Sequence, residues 1–175
     1  MKRAILAFLS VAAAAVFACS TLSTNADYDP ATDFSRYKTW DLKDDGSINN
    51  PLLAKRIETA VGGELAKKGM TRNTSNPDLW VAVHGRLSKQ TQIHTYDSGW
   101  GYGWRWGGGM TTSTVSEVPV GTLIVDLVDA NRKELVWRGT ASDTLDPEAS
   151  PEKKEKNLQE AMAKLLEKFP PAKKG

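Results

Sequence analysis

Hydrophobic positions along this chain change their spacing several times, and each change predicts an element. After an apolar run from Ala4 to Phe17, residues Ser20 to Asp29 are polar, rich in Ser, Thr and Asn, and show no apolar periodicity. They predict a tether, with the folded domain starting near Phe34. Arg36-Tyr37-Lys38-Thr39-Trp40-Asp41-Leu42 alternates and is rich in β-formers, which predicts a strand broken by Asp44-Asp45-Gly46-Ser47. Asn50 as N-cap and Pro51 at the first helical position open a helix in which Leu53, Ile57, Ala60, Val61 and Leu65 recur until Gly69. Gly62-Gly63 within it predicts a bend or the close approach of another backbone.

From Asp78 the period becomes two, with Leu79, Val81, Val83 and Leu87 on one side and Trp80, Ala82, His84 and Arg86 on the other. The polar stretch from Ser88 to Tyr96 and the Thr/Ser/Val-rich return from Met110 to Val118 predict the outer part of a long hairpin. Thr122 to Val128 and Glu134 to Leu145 predict a second hairpin around the turn Asp129-Ala130-Asn131-Arg132-Lys133. A last helix starts at Ser150-Pro151, carries Leu158, Ala161, Met162, Leu165, Leu166 and Phe169 on one stripe, and stops at Pro170-Pro171. The predicted fold class is α+β, in the order β-α-β-β-β-α. Two helices pack on one face of a mainly antiparallel sheet, and a long hairpin carries a Gly/Trp tip. The predicted core beneath the helices holds Trp137, Leu135, Leu123, Val125, Leu127, Leu79, Val81 and Val83.

Composition alters this picture mostly at the N-terminus. Met1-Lys2-Arg3, the apolar run and the small Ala18 predict a secretory signal over residues 1–18. Val16-Phe17-Ala18-Cys19 resembles a lipobox, in which the Cys thiol takes a diacylglycerol and the freed amine is acylated. Phe17 is larger than the residue usual in its slot. Cys19 is the single Cys of the chain, which excludes disulfide frameworks and thiolate metal clusters. Residues 19–33 are then the lipidated Cys and tether, and 34–171 a single periplasmic domain. Ser20, rather than Asp, after the Cys directs the expectation to the outer membrane. With Lys2 and Arg3 removed, the 23 basic residues fall to the level of the 21 acidic ones, so a nucleic-acid partner is not expected.

Catalytic chemistry finds little support. His84 and His94 lack a second ligand at metal-binding spacing, and no Ser sits in a nucleophile elbow. Asp126, Asp129 and Asp143 are the carboxylates a glycosidase-like pair could use, against a plainer reading in which Asp126 faces solvent and Asp129 opens a turn. No catalytic residue, cofactor or metal site is expected. The segment from Asp97 to Gly109 holds three of the six Trp and six of the fourteen Gly. Its Trp100, Tyr102, Trp104, Arg105 and Trp106 are the candidate contacts for a partner or membrane surface, aromatic rings on a loop being common at both.

A family resemblance accompanies these readings. Tyr28-Asp29-Pro30, Asp33-Phe34-Ser35-Arg36-Tyr37-Lys38-Thr39-Trp40, Pro77-Asp78-Leu79, Gly121-Thr122-Leu123-Ile124-Val125-Asp126-Leu127-Val128-Asp129, Leu135-Val136-Trp137-Arg138-Gly139 and Phe169-Pro170-Pro171 together resemble the bacterial lipoprotein family catalogued as domain of unknown function 4136. The resemblance implies an envelope lipoprotein and carries over no activity or catalytic residue. The Gly/Trp insert lies outside it. The function expected is therefore a non-catalytic outer-membrane lipoprotein, an accessory or scaffold domain presenting the hairpin to an envelope protein, a cell-wall partner or the membrane. The alternatives are an envelope hydrolase using the strand carboxylates and a glycan-binding module.

Overall fold

Polar as it is, the segment read as a tether contains a strand. The computed structural model describes residues 21–43, 46, 48, 50–97 and 111–172, the side chains of 92–97 and 111–115 excepted. Its elements are β1 (Ser23–Tyr28), a 3-10 turn (Phe34–Arg36), β2 (Thr39–Leu42), α1 (Pro51–Lys67), β3 (Thr71–Arg72), β4 (Leu79–Asp97), β5 (Thr111–Asp129), β6 (Leu135–Thr144) and α2 (Pro151–Leu166). The strands form one sheet in the order β1-β6-β5-β4-β2-β3. The four strands from β1 to β4 in that order are antiparallel neighbours, while β2 joins β4, and β3 joins β2, in parallel. The fold is thus α+β as expected, with β1 and β3 added at the two edges. The folded domain consequently takes in β1, ahead of Phe34.

The edge position explains why β1 was hidden. Paired to β6 from Ser23↔Ser142 to Tyr28↔Trp137, it needs only a half-buried inner face, supplied by Leu22, Ala26 and Tyr28 against the core. Its outward residues stay polar, and one weakly apolar side gives little periodic signal.

Both helices are capped as the sequence predicts. The Asn50 side chain accepts from the N–H of Leu52 and Leu53 at 3.0 and 3.2 Å, and the Ser150 hydroxyl accepts from Lys153 N–H at 3.3 Å. Ile57, Ala60, Val61 and Leu65 of α1 and Met162, Leu165 and Leu166 of α2 bury against Leu79, Val81, Val83, Val125, Leu127 and Trp137, so one sheet face is covered. Leu53 remains outside this core. α1 runs unbroken through Gly62-Gly63, and the close neighbour at Gly62 is the Trp40 indole, 3.5 Å from where a Cβ would stand, rather than a backbone.

One core assignment is inverted. Leu135 and Trp137, two apart, would share a face in a regular strand, but Leu135 is 45% exposed while Trp137 is fully buried. The cause is a bulge: Leu127 pairs with Trp137 and Val128 with Leu135, leaving Val136 as the extra residue. Leu135 turns to the open face, and Val136 is buried instead. The Trp137 ring lies across Gly139, where an added Cβ would stand 2.3 Å from the ring and 2.7 Å from Leu165, and it meets Phe169 edge-on at 5.6 Å. Phe169 in turn meets Phe34, which contacts both Tyr28 and Tyr37.

Trp137→Ala is expected to cost about 3–5 kcal/mol and Gly139→Ala about 1–3 kcal/mol. Leu135→Ala should stay within about 1 kcal/mol of the parent. Urea denaturation of the three variants checks the ranking. A Leu135 variant as damaged as the Trp137 variant would show that the bulge is misplaced.

Candidate functional site

The hairpin is longer than the sheet that supports it. β4 and β5 pair continuously from Leu79↔Asp129 to Asp97↔Thr111. β6 leaves β5 after Val120↔Thr144, and β2 leaves β4 after Leu42↔Val81. Beyond Ser88↔Val120 the two strands are therefore paired with each other, apart from one bond from the Leu145 N–H to the Pro119 carbonyl at 2.8 Å. At about 3.3 Å per residue, that ribbon extends roughly 30 Å past the sheet. Its described surface is polar: Ser88, Lys89, Gln90, Thr91 and Glu117 are exposed. A cross-strand bond from Lys89 Nζ to Glu117 Oε2, at 3.0 Å, laces the two strands. Trp100, Tyr102, Trp104, Arg105 and Trp106 fall in the segment joining Asp97 to Thr111 and, with Cys19, lie outside the described residues.

The three candidate carboxylates do not converge. Asp126 pairs with Ala82 and Asp129 with Leu79, so by strand alternation they point to opposite faces. Asp143 stands opposite Gly121, about 27 Å along β5 from Asp129, while a glycosidase pair needs roughly 5–9.5 Å. Each is also engaged. Asp126 lies on the open face yet is only 6% exposed, because Arg138 donates to both its oxygens at 2.6 Å and His84 Nε2 stands 3.7 Å away. Asp143 accepts from the Thr21 hydroxyl.

Asp129 is the most enclosed of the three. Its side chain is wholly buried and accepts from Arg36, from the Tyr37 hydroxyl at 2.9 Å, from Arg132 Nε at 3.1 Å, and from the N–H groups of Asn131 and Arg132 at 2.9 Å each. Burial by itself would raise its pKa, but the Arg132 N–H, the Tyr37 hydroxyl and the Arg132 guanidinium prevail and hold the carboxyl far below the usual carboxylate range. The same contact, with burial, raises the Tyr37 phenol. Asp129 thus opens the turn, as the plainer reading had it. Its arginine partners were missed, although Arg36, Tyr37 and Asp129 all belong to the segments that carry the family resemblance.

Among the described residues no three His, Cys, Asp or Glu side chains are placed to share a metal ion. A shallow groove of about 350 Å³ follows the seam of the helices, between Ala60, Gly63 and Glu64 on α1 and Gln159, Glu160 and Ala163 on α2. Of its charged groups, Glu64 accepts from Lys67 Nζ at 2.6 Å and Glu160 is exposed. Among the described residues no helix is long and apolar enough to cross a membrane.

Comparison with known proteins follows the same outline. The family model described as "Domain of unknown function (DUF4136)" matches residues 24–171, which takes in β1. A PDZ domain protein from Parabacteroides distasonis superposes with a TM-score of 0.58 at 17% identity, over 89% of this chain and 36% of that one. This chain therefore spans about a third of that protein. A PelC dodecamer from Paraburkholderia phytofirmans gives 0.49 at 14% identity, over 83% and 94% of the two chains. A minor lipoprotein from Acinetobacter baumannii gives 0.38 at 14% identity, over 76% and 89%. No curated protein matches.

The Asp129 cluster makes a pH prediction. Because its folded-state pKa is depressed, its contribution is complete above the unfolded carboxylate value of about 3.9 and is lost as pH falls from there toward the folded value. Asp129→Asn should cost roughly 2–3 kcal/mol at neutral pH, since buried donors lose their acceptor. It should also flatten the decline in stability on acidification below about pH 4, without abolishing it, because Asp78 is held low as well. Chemical denaturation at stepped pH gives both quantities. Parallel wild-type and variant profiles would exclude Asp129 as the titrating group.

Proposed function

The chain belongs to the family described as domain of unknown function 4136, and from that premise we propose that it is a non-catalytic, lipid-anchored envelope protein whose domain holds out the β4–β5 ribbon toward a partner. The observation that carries this reading is the length of the ribbon: nineteen consecutive pairs, about half of them beyond any supporting strand. Pairing of that extent, with exposed polar side chains along it, contributes little to the core and serves to carry something outward. What it carries, by sequence, is Trp100, Tyr102, Trp104, Arg105 and Trp106. Aromatic anchors commonly dominate binding energy at interfaces. The outer membrane, with the domain on its periplasmic side, is the location that Cys19 followed by Ser20 supports.

The carboxylates, by contrast, are committed to arginines or separated by faces of the sheet, which favours an accessory role over hydrolysis. Glycan stacking on the same rings ranks behind a protein or membrane partner.

Two variants test the reading. Cys19→Ser should release the protein from the membrane fraction and abolish palmitate incorporation, the acyl chains being the anchor. Replacing Trp100, Trp104 and Trp106 together by Ser should leave thermal melting within a few degrees while cutting co-sedimentation of the soluble domain with envelope fragments. A steep fall in melting temperature would instead make the rings part of the core, and unchanged co-sedimentation would remove the binding role.

A further inference from the structure

Strand direction determines the end at which the chain enters the sheet. β1 is antiparallel to β6, β6 to β5 and β5 to β4, so β1 runs opposite to β4. β4 leads from the foot of the sheet at Leu79 out along the ribbon to Asp97. β1 therefore begins at the ribbon end and runs toward the foot. Its register agrees: Ser23 pairs with Ser142, which pairs with Thr122, which pairs with Arg86, two residues before the ribbon separates from the sheet. Thr21 is held there too, its hydroxyl donating to Asp143. The chain thus enters the domain at the same end from which the ribbon leaves.

From this we infer that the ribbon is directed at the lipid bilayer in which the protein's own N-terminus is anchored, and lies against it as a second point of attachment. The inference rests on Cys19 being acylated, and its geometry comes from β1. Two residue steps, through Ser20, lead from Thr21 back to Cys19, a reach of about 7 Å at full extension. The ribbon projects roughly 30 Å from the same end, so it is several times longer than the slack between domain and membrane. Turning the domain so that the ribbon points straight away from the bilayer would require Cys19 to double back along the whole of β1, which two residues cannot do.

The chemistry of the ribbon decides how it meets the lipid. Two strands with unpaired outer edges cannot enter the hydrocarbon core, where every unpaired N–H and C=O costs several kcal/mol. Lys89, Gln90, Thr91 and Glu117 suit the headgroup layer instead. The partner is therefore phospholipid surface in cis, and the domain leans so that the ribbon lies along the headgroups, with the foot and its Asp129 farther from the membrane.

The test uses the full mature lipoprotein in vesicles of phosphatidylethanolamine and phosphatidylglycerol. Acylated Cys19 takes no thiol reagent, so Thr95→Cys on the ribbon, or Asn131→Cys at the foot, becomes the single labelling site for an environment-sensitive fluorophore. With nitroxide-bearing lipids in the vesicles, the Thr95 probe should lose more than about half its emission while the Asn131 probe keeps nearly all of it, because a nitroxide quenches by close contact. Equal emission from the two positions in vesicle-bound protein overturns the inference and leaves the anchor intact. Mass spectrometry showing Cys19 unacylated overturns the anchor, and the inference with it. A Thr95 probe unquenched in pure lipid but shielded from aqueous iodide in native envelope fragments assigns the ribbon to a protein and overturns the bilayer.

Discussion

The buried Asp129 carboxylate is where the foot of this sheet is fastened. One side chain ends β5, receives the arginine and tyrosine that follow the 3-10 turn's start, and caps the N–H groups of the turn into β6. Arg36 and Arg132 are each nearly half exposed. Their charges stay hydrated while their hydrogen bonds reach inward, which avoids most of the penalty of a fully buried ion pair. Around it, Asp78 accepts from the N–H groups of Lys38 and Thr39 at 2.8 Å, and Asp29 N–H bonds to Val136 carbonyl. Every segment that arrives at the foot is tied by a carboxylate or a main-chain bond.

Among the described residues the opposite end has no buried carboxylate, and Asp143 there accepts from the Thr21 hydroxyl. There the core thins out, β6 and β2 stop, and β4 and β5 continue alone. Leu87 illustrates the change: in phase with Leu79, Val81 and Val83, it is 78% exposed because the helices no longer cover it. Rigidity at one end and reach at the other are consequences of the same six-stranded layout, with the ribbon levered from a base that cannot shift.

How legible this was in the sequence depends on the element. Both helices could be read because capping residues and apolar stripes agree, and the β4 alternation because Val and Leu crowd one side. The turn at Asp129 followed from local chemistry. β1 was illegible because an edge strand with one modestly buried face needs few apolar residues. The bulge at Val136 was illegible because Leu135-Val136-Trp137 is apolar throughout and no period can say which member is the extra one. The end of the sheet at which the chain enters, relative to the ribbon, follows only from the pairing of β1. The arginine partners of Asp129 come from distant parts of the chain, and no local pattern joins them.

That pairing also governs the order of assembly. The first strand of the domain to be synthesised, Ser23–Tyr28, finds its partner in β6, the last strand. Until the chain has been produced through Ser142, β1 lacks its partner strand. Loop closure over most of the chain makes this a late and slow contact by topology. Once β6 is in place, Thr21 and Leu22 are drawn against the folded domain.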